Sequence, residues 1–247
     1  MRIDGRNNDE LRPIKFTRNF IEYPEGSVLV EMGKTKIIVT ATIENKVPPF
    51  LRYKKTGWLT AEYAMLPAST LKRKNRDIQS LHQDGRSIEI QRLIGRALRT
   101  CIDLDKIGEK TIKIDADVIQ ADGGTRCAAI TGGYIALCDA MKTLIDRGEI
   151  TEYPIHSIVS AVSVGVVEGE VLLDLNFIED SKADVDMNII MNDRGEFIEI
   201  QGIGEGASFS RDHLDKMIES GVSGIDEIIY DQKLVLDSIT KEIGVNL

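Results

Sequence analysis

The sequence predicts an α+β fold made of two similar halves, at about residues 1–150 and 151–247. Segments with β-strand patterns come first and helical patterns follow, and this order occurs twice along the chain. Because strands and helices do not alternate one by one, a doubly wound parallel sheet is not expected. The 247 residues, 42% of them hydrophobic, suffice for one large core. We therefore treat 1–247 as a single domain built from the two halves.

In the first half, four segments show strand patterns. Residues 28–32 and 35–43 are rich in β-branched side chains and flank a turn at Gly33, which predicts a hairpin. Residues 58–65 form a third strand-like run, and the apolar alternation over 112–118 predicts a fourth strand.

Two helices are expected in the same half. From Ser87 to Cys101, apolar residues recur at intervals of three and four, as on one face of an amphipathic helix. Residues 125–147 are dense in small and apolar side chains, and Gly148 is a suitable helix stop.

The second half repeats the order of strands followed by helices. Residues 202–206 contain several glycines but lack the spacing of a dinucleotide-binding loop, so we expect a turn before a helix capped near Ser208 or Ser210. The strand patterns lie at 158–167, 171–175, 185–191 and 197–202, and the helical patterns at about 210–220 and 224–243.

Composition excludes several classes of protein. A net charge of −9 and a pI near 5.0 give no global sign of a nucleic-acid binder, so any RNA contact needs a local basic cluster. Cys101, Cys127 and Cys138 form no CxxC pair, which favours buried, reduced thiols in a cytoplasmic protein over a nucleophilic Cys127. No apolar run is expected to span a membrane, so no membrane partner is expected.

Residues 122–126 join the last strand of the first half to its second helix. Two glycines let this turn approach a ligand closely, and the N–H groups of the new helix favour an anion. Thr125 adds a hydroxyl group and Arg126 adds a planar charged fork, both of which suit phosphate oxygens. The segment predicts a small phosphate site; the alternative is a structural turn with Thr125 as the helix N-cap.

A second candidate site is acidic. Asp184 and Asp186 alternate with Val185, so both are expected on one side of a strand, with Asp180 in the preceding turn. Carboxylates this close repel each other unless a cation such as Mg²⁺ holds them or one of them is protonated and serves as a general acid. The alternative is a solvated acidic turn in which Asp184 caps a backbone group.

Arginines and lysines form two clusters. Residues 68–85 are polar and contain Lys72, Arg73, Lys74 and Arg76, which is also typical of a plain surface loop. In the helix that follows, Arg92, Arg96 and Arg99 share a second face. Arg86 precedes this face and either reaches over a neighbouring cleft or bonds to Asp84.

Seven motifs follow one another along the chain, at residues 2–6, 61–67, 85–96, 117–126, 180–188, 201–206 and 209–211. In this order they closely resemble the ribonuclease PH family of phosphorolytic 3′→5′ exoribonucleases, also called tRNA nucleotidyltransferases. The resemblance extends from about residue 2 to 240 without a large gap. One departure is Ala68, where many members of the family have arginine.

The resemblance implies the ribonuclease PH fold, with two βαβα-type halves like the second domain of ribosomal protein S5. It implies an enzyme that trims the 3′ ends of tRNA precursors and other RNAs, including those of rRNA processing. Inorganic phosphate would be the co-substrate, nucleoside 5′-diphosphates the products, and nucleotidyl transfer reversible. The expected partners are RNA, especially tRNA 3′ ends, and five further copies of the chain in a homo-hexamer, a trimer of dimers.

The resemblance also implies roles for individual residues. Phosphate would be bound by Arg86, Gly124, Thr125 and Arg126, and catalysis would use Asp180 and Asp184 with the two arginines. Mg²⁺ or Mn²⁺ would be held by Asp180, Asp184 and Asp186. Whether Asp180 or Asp184 protonates the leaving oxygen stays open. RNA would be gathered by Lys72, Arg73, Arg76, Arg92, Arg96 and Arg99.

Two other functions compete with this interpretation. The first is a non-catalytic RNA-binding subunit of an exosome-like ring, which is expected to lack part of the arginine and aspartate set that is complete here. The second is a hydrolytic metal-dependent nuclease that uses the aspartates alone. In that case Arg86, Arg126 and the glycine turn would have no task.

Overall fold

The computed structural model describes residues 2–76, 84–206 and 208–243, which fold into two sheets and the helices that pack on them. The first sheet has the order β1-β2-β3-β5-β4, in which only the β4–β5 pair is parallel. Its strands are β1 (Ile14–Arg18), β2 (Gly26–Met32), β3 (Thr35–Glu44), β4 (Trp58–Met65) and β5 (Thr111–Gln120), and short 3₁₀ helices occupy Pro49–Leu51 and Leu104–Ile107.

The second sheet is antiparallel and has the order β7-β6-β8-β9. Its strands are β6 (Val159–Val167), β7 (Glu170–Leu173), β8 (Val185–Asn192) and β9 (Phe197–Gly204). The helices are α1 (Gly85–Arg99), α2 (Thr125–Asp146), the single-turn α3 (Phe177–Asp180) and α4 (Arg211–Ile243). Each sheet is thus followed by a long helix, which confirms the predicted α+β class.

Most strands predicted from alternation lie where expected, including the hairpin around Gly33. Two elements were not predicted. β1 is an edge strand whose side chains are mostly half-buried, so it lacks a clean alternation of apolar and polar residues. α3 has only four residues, which is too short for a helical period to appear in the sequence.

The last helix corrects a prediction. Residues 210–220 and 224–243 suggest two helices, yet α4 is continuous through Gly221 and Gly224. These glycines serve packing rather than chain reversal. A methyl group at Gly221 would meet Ile189 of β8, and one at Gly224 would lie 2.8 Å from Leu173 of β7. The absence of side chains lets α4 lie close to the second sheet. Ser210 caps the helix as expected, accepting a hydrogen bond from the His213 N–H at 3.1 Å.

α2 is the centre of the core. It packs on β2 and β3 of the first sheet and on β6 of the second, and nearly all of its residues from Cys127 to Met141 are buried. It is long and apolar enough to cross a membrane, with a mean hydropathy of 1.2, so the expectation that no run reaches that length is wrong. However, 83% of this apolar stretch is buried within the protein, as is normal for a helix shared by two packed layers.

Small residues set the distance between α2 and the first sheet. A methyl group on Gly26 of β2 would overlap the backbone carbonyl of Ala136, and one on Gly132 of α2 would overlap the side chain of Val30. Helix and strand therefore approach to backbone contact at Gly26. Backbone atoms cannot rotate away as a flexible side chain can.

We expect Gly26→Ala to destabilise the fold by about 1–3 kcal/mol, the usual cost of overpacking a core. The measurement is the free energy of unfolding in urea. Gly85→Ala is the matched control, because a methyl group there meets nothing within 4 Å. The control should change stability by less than ~0.5 kcal/mol. Equal stability of the two variants would show that α2 can shift away from β2 without cost.

Candidate active site

A small polar cavity of about 170 Å³ lies where the two halves meet. The first half contributes the start of α1 and the start of α2. The second half contributes strands β6 and β8, α3 and the end of β9. The cavity is lined by Arg86, Gly124, Thr125, Arg126, Ser163, Asp180, Ser181, Ala183, Asp186, Asn188 and Glu205. The predicted phosphate turn and two of the three predicted aspartates thus share one cavity.

The turn before α2 has the conformation that its glycines permit. Gly123 and Gly124 have φ angles of 82° and 67°, in the left-handed region where a side chain would be strained. Gly124, not Thr125, is the N-cap residue, and it offers no side chain to the first turn of the helix. The alternative in which Thr125 caps the helix is therefore wrong. The uncapped N–H groups make the helix start a suitable place for an anion.

The Thr125 hydroxyl group has a defined partner. It lies 2.8 Å from the Tyr63 hydroxyl group of β4, and both side chains are buried. Burial raises the pKa of Tyr63, so its hydroxyl group stays protonated at neutral pH. If Tyr63 donates to Thr125, the Thr125 proton is free to be donated to a ligand in the cavity.

The two arginines reach the cavity from helix starts. Arg126 lies in the first turn of α2, where it donates to Gln201 at 2.6 Å and lies 3.6 Å from a Glu89 oxygen. Arg86 lies in the first turn of α1 and has an exposed side chain. Its backbone N–H donates to the N-cap residue Asp84 at 3.2 Å, so the predicted bond to Asp84 comes from the backbone.

Asp180 ends the short helix α3, which is held by its own capping interactions. The Asn176 side chain accepts from the N–H groups of Ile178 and Glu179, and Glu179 accepts from the Asn176 N–H at 3.1 Å. Three backbone N–H groups at the start of the helix find acceptors in this way. A helix of one turn therefore has a fixed direction and carries Asp180 into the cavity.

Asp186 and Asp184 differ in position, contrary to prediction. β8 begins at Val185, so Asp186 and Asn188 point together into the cavity from one face of the strand. Asp184 precedes the strand, is exposed and does not line the cavity. Its N–H donates to the Val166 carbonyl at 2.8 Å. This hydrogen bond fixes the backbone at Asp184 and does not involve its side chain. The structure thus places Asp186 in the cavity and Asp184 outside it, whereas both were predicted to hold a metal.

Two of the three cavity carboxyl groups, those of Asp180 and Asp186, have raised pKa values. Burial raises the pKa of Asp180, and Glu205 adds to this effect while Arg86 and Arg126 oppose it. Burial also raises the pKa of Asp186, and the charge of Asp180 adds to that rise. Two half-buried acids that each disfavour ionisation of the other are a typical arrangement for proton transfer or for binding a cation.

These carboxyl groups fit a divalent cation only in part. Among the residues that the structure describes, no cluster of three or more His, Cys, Asp or Glu side chains is arranged to hold a metal. Mg²⁺, however, commonly binds one or two carboxylates and takes its other ligands from substrate phosphate and water. Asp180 and Asp186 suit that mode, whereas Asp184 lies outside the cavity.

Six cavity or neighbouring residues were not predicted as site residues: Tyr63, Ser163, Ser181, Ala183, Asn188 and Glu205. Asn188 follows Asp186 by two positions, a spacing that places both on one face of a strand and could have revealed it. Ser163 is the cross-strand partner of Asn188, and its hydroxyl group is buried without a hydrogen-bond partner among the described residues. Pairing of β6 with β8 brings Ser163 next to Asn188, and the sequence of one strand does not predict that pairing.

A second cavity of about 410 Å³ adjoins the first and shares Arg86, Arg126, Asp186, Asn188 and Glu205 with it. Glu89 of α1 and Gln201 and Ile203 of β9 complete its walls. The small polar cavity therefore opens into a larger one that has room for a group beyond a phosphate.

The residues predicted to bind RNA have different surroundings. Lys72, Arg73 and Arg76 are exposed, and Arg73 donates to Asn75 at 3.2 Å. The rest of that loop, residues 77–83, lies outside the described residues.

Three predicted RNA-binding arginines belong to α1. Arg92 is exposed, whereas Arg96 is bound to Glu199 at 2.9 Å. Arg99 donates to the Leu59 carbonyl and stacks 4.7 Å above the Trp58 ring. Arg96 and Arg99 therefore already support the fold, and Arg92 is the most available of the three.

Cys127 lies behind the cavity. It is fully buried, which raises the pKa of its thiol, and its Sγ donates to Asn188 at 3.3 Å. All three cysteines are buried and free, as predicted. A nucleophilic role for Cys127 is disfavoured, since the reactive form is the thiolate.

We expect Asp186→Asn to raise the melting temperature at pH 7 by about 2–4 °C, the shift that ~1 kcal/mol produces in a protein of this size. An acid whose pKa is raised on folding holds its proton more tightly in the folded state, so ionisation destabilises the fold. This penalty is absent below the unfolded pKa near 3.8 and complete above the raised folded pKa. The gain in melting temperature should therefore vanish as the pH falls towards 3.8.

The measurement is thermal unfolding between pH 3.5 and 8 with a chelator and without phosphate. Asp184→Asn is the control, because it removes the same charge from an exposed side chain outside the cavity. A melting temperature of Asp186→Asn that stays at or below that of the parent protein at pH 7 would contradict the raised pKa.

Comparisons with known proteins agree with this geometry. Residues 10–142 match the model of the 3′ exoribonuclease family, domain 1 (RNase_PH), and residues 157–224 match domain 2 of the same family (RNase_PH_C). The first match contains the turn before α2, and the second contains Asp180 and Asp186.

Solved structures with the same fold include Rrp46 from rice (Oryza sativa), with a TM-score of 0.74, 20% identity and coverage of 95% of this chain and 100% of that one. The structure of an Archaeoglobus fulgidus exosome with RNA bound to the active site has a TM-score of 0.77 and 22% identity. The match covers 93% of this chain and 92% of that one. The structure of an archaeal exosome core has a TM-score of 0.73 and 22% identity, and the match covers 94% of this chain and 91% of that one. With two consecutive domain matches and a shared fold, the chain belongs to the phosphorolytic 3′ exoribonuclease family, with RNase PH domains 1 and 2.

Proposed function

We propose that this chain is a phosphate-dependent 3′→5′ exoribonuclease that trims tRNA precursors and other RNAs and releases nucleoside 5′-diphosphates. One observation carries the proposal. Two arginines, a helix start with the Thr125 hydroxyl group and three acidic side chains line a single small cavity. Within the family, this is the composition needed to hold an anionic nucleophile beside an anionic substrate.

The first requirement of the reaction is to hold inorganic phosphate. An oxygen of phosphate attacks the phosphorus of the last phosphodiester bond, and the bond to the 3′ oxygen of the preceding nucleotide breaks. Both reactants are anions, so their approach costs energy unless cations are already in place. Arg86 and Arg126 supply the charge, while Thr125 and the first N–H groups of α2 fix the orientation.

The second requirement is a proton for the leaving 3′ oxygen. Asp180 suits this role better than Asp184, because Asp180 lines the cavity and burial raises its pKa. A raised pKa keeps the carboxyl group protonated closer to neutral pH, where it can act as a general acid. The exposed Asp184 lies outside the cavity and lacks this geometry.

Asp186, and Asp180 once it has given up its proton, would hold Mg²⁺ or Mn²⁺ together with oxygens of the substrate. When bound, such a cation stabilises negative charge on the scissile phosphate. It would also relieve the mutual repulsion of the two carboxyl groups, whose pKa values are raised in its absence.

The adjoining cavity is the natural place for the terminal nucleotide, since it opens directly from the phosphate cavity. The rest of the RNA would be held through its backbone by exposed basic residues, with Arg92 and the Lys72–Arg76 region as candidates. Weak sequence specificity and strong salt dependence are then expected. We further propose a cytoplasmic homo-hexamer whose ring admits single-stranded 3′ ends and stops at the acceptor stem of tRNA.

The similarity to exosome structures favours a second candidate, a ring subunit that binds RNA without catalysis. The two candidates differ in what the cavity must contain. A scaffold has no need of Arg86, Thr125, Arg126, Asp180 and Asp186 in one place, so the complete set supports catalysis.

We expect purified protein with Mg²⁺ to release nucleoside diphosphates from a 3′-extended tRNA only when inorganic phosphate is present. Chromatography of the released nucleotides is the measurement. Monophosphates released without phosphate would instead indicate hydrolysis by a metal-bound water. RNA that is bound but not shortened would favour the scaffold.

In the same assay, Arg86→Ala should lower kcat/KM by about 10²–10³, as loss of a charge-stabilising donor does in other enzymes. Arg86 is exposed, so the fold should tolerate the change. Arg147→Ala is the control, because Arg147 pairs with Glu25 at the far end of α2. Equal activity of both variants would remove Arg86 from the site.

Tyr63→Phe should raise the KM for phosphate about 3–10-fold with little change in kcat, the effect of losing a hydrogen bond worth ~1 kcal/mol. If Tyr63 is the donor in this bond, its loss leaves the Thr125 proton free to turn away from the cavity. Tyr153→Phe removes the same atom from a partly buried tyrosine that donates to the Cys138 carbonyl and does not line the cavity. Steady-state kinetics with varied phosphate should therefore separate the two variants.

A further inference from the structure

We propose that Arg12, which does not line the cavity, is a positioning residue that holds the phosphate turn at a fixed place relative to α3. The turn belongs to the first half of the chain and α3 belongs to the second. Arg12 contacts both sides of this junction. Its effect on substrate rests on the proposed function, whereas its effect on the turn does not.

On one side, Arg12 binds the backbone of the turn. Its Nη1 donates to the Asp122 carbonyl at 2.5 Å and its Nη2 to the Gly123 carbonyl at 3.4 Å. Thr35 adds two further bonds to the same backbone, donating to the Gly123 carbonyl at 2.7 Å and accepting from the Asp122 N–H at 2.9 Å. The backbone of the turn is thus held by one guanidinium group, from Arg12, and one hydroxyl group, from Thr35.

These bonds determine where the free N–H groups point. The Gly123 carbonyl and the Gly124 N–H belong to one planar trans peptide unit, so they point in opposite directions. Fixing the carbonyl towards Arg12 and Thr35 turns the N–H away from them, on the side where Gly124 lines the cavity. The same relation links the Asp122 carbonyl to the Gly123 N–H.

On the other side, Arg12 binds Asp174 at the end of β7. Its Nε and Nη2 donate to the two carboxylate oxygens at 2.8 and 2.6 Å, and its backbone N–H donates at 2.9 Å. The side chains of Arg12 and Asp174 are only 4% and 1% exposed. A bidentate pair this deeply buried has one geometry, since breaking it would leave an unpaired charge in the core.

Asp174 is in turn tied to α3 and the N-terminal segment. Arg2 and Arg6 both donate to its backbone carbonyl at 3.1 Å, and Arg2 also binds Glu179 of α3 at 2.6 Å. The φ angle of Asp174 is 51°, a conformation that non-glycine residues adopt only when their surroundings require it. Arg2, Arg6 and Arg12 therefore hold residues 174–180, the segment that ends in Asp180, in place.

The turn also touches that segment directly. A methyl group on Gly123 would overlap the Leu175 carbonyl and lie 3.0 Å from the Phe177 nitrogen, and one on Gly124 would lie 3.0 Å from Nη2 of Arg12. The turn, Arg12 and the start of α3 are therefore packed without room for an added methyl group. Displacing Arg12 therefore moves the anion-binding N–H groups relative to Asp180, and a misplacement of about 1 Å is enough to slow a reaction strongly.

The test compares Arg12→Gln with Arg18→Gln. Arg18, which is partly buried, forms another ion pair, with the buried Asp139 of α2, and this pair lies away from the cavity. Both variants lose a buried charge partner and should lose similar stability. Only Arg12→Gln should speed amide hydrogen exchange in peptides that cover residues 121–126, measured by mass spectrometry without any ligand.

Only Arg12→Gln should also raise the KM for phosphate, by about ten-fold or more. If Arg12→Gln does not fold, Thr35→Val tests the same turn without removing a charge, and it should shift both measurements in the same direction. Turn exchange equal to that of Arg18→Gln, or faster exchange with an unchanged KM in an active protein, would overturn the proposal. Faster exchange in Arg12→Gln, in a protein whose parent neither binds nor uses phosphate, would support the positioning role and refute the proposed function.

Discussion

The burial of α2 between two sheets is the constraint on which the rest of the structure depends. The helix packs on β2 and β3 with one side and on β6 with another, so both halves of the chain need it for their core. Glycines at the closest contacts fix its distance from the first sheet. Because neither sheet can move without losing apolar contacts, the start of the helix is fixed at the junction of the halves. The cavity lies at that point, where a rigid helix start meets the second sheet.

Opposing charges meet at this junction, and their balance explains why the site is costly for stability. Arginines on the first half and carboxyl groups on the second would attract each other if they were paired. Instead Asp180 and Asp186 are partly buried with raised pKa values, which shows that the nearby arginines do not fully compensate for lost hydration. Incomplete pairing of these charges lowers the stability of the fold and leaves the site ready for an anion. The strongly paired charges are those of Arg12 and Asp174, which do not line the cavity.

The shared fold extends across proteins that differ greatly in sequence. Rrp46 from rice and archaeal exosome chains superpose over nearly the whole chain at 20–22% identity. A two-sheet scaffold of this kind tolerates many substitutions because apolar volume and strand pairing decide the architecture. Function must therefore be judged from the side chains in the cavity, since the scaffold alone does not determine chemistry.

By itself, the sequence determined the local elements and the chemistry of individual segments. Alternation and helical spacing located most strands and the helices α1 and α2, and two glycines before α2 indicated an anion-binding turn. These features depend on neighbours within a few residues, which is why one strand or helix suffices to reveal them. Continuity of α4 through Gly221 and Gly224 was missed, because glycine signals a break unless a facing sheet requires close packing.

Only the tertiary structure decided which of the candidate residues meet. Asp180 and Asp186 line the cavity and Asp184 does not, which depends on how the second half packs against the starts of α1 and α2. Tyr63 and Ser163 are brought to the site from strands about sixty and forty residues from Thr125, and Arg12 reaches the turn from the N-terminal segment. Such contacts depend on how distant segments pack, and no spacing along the chain encodes them.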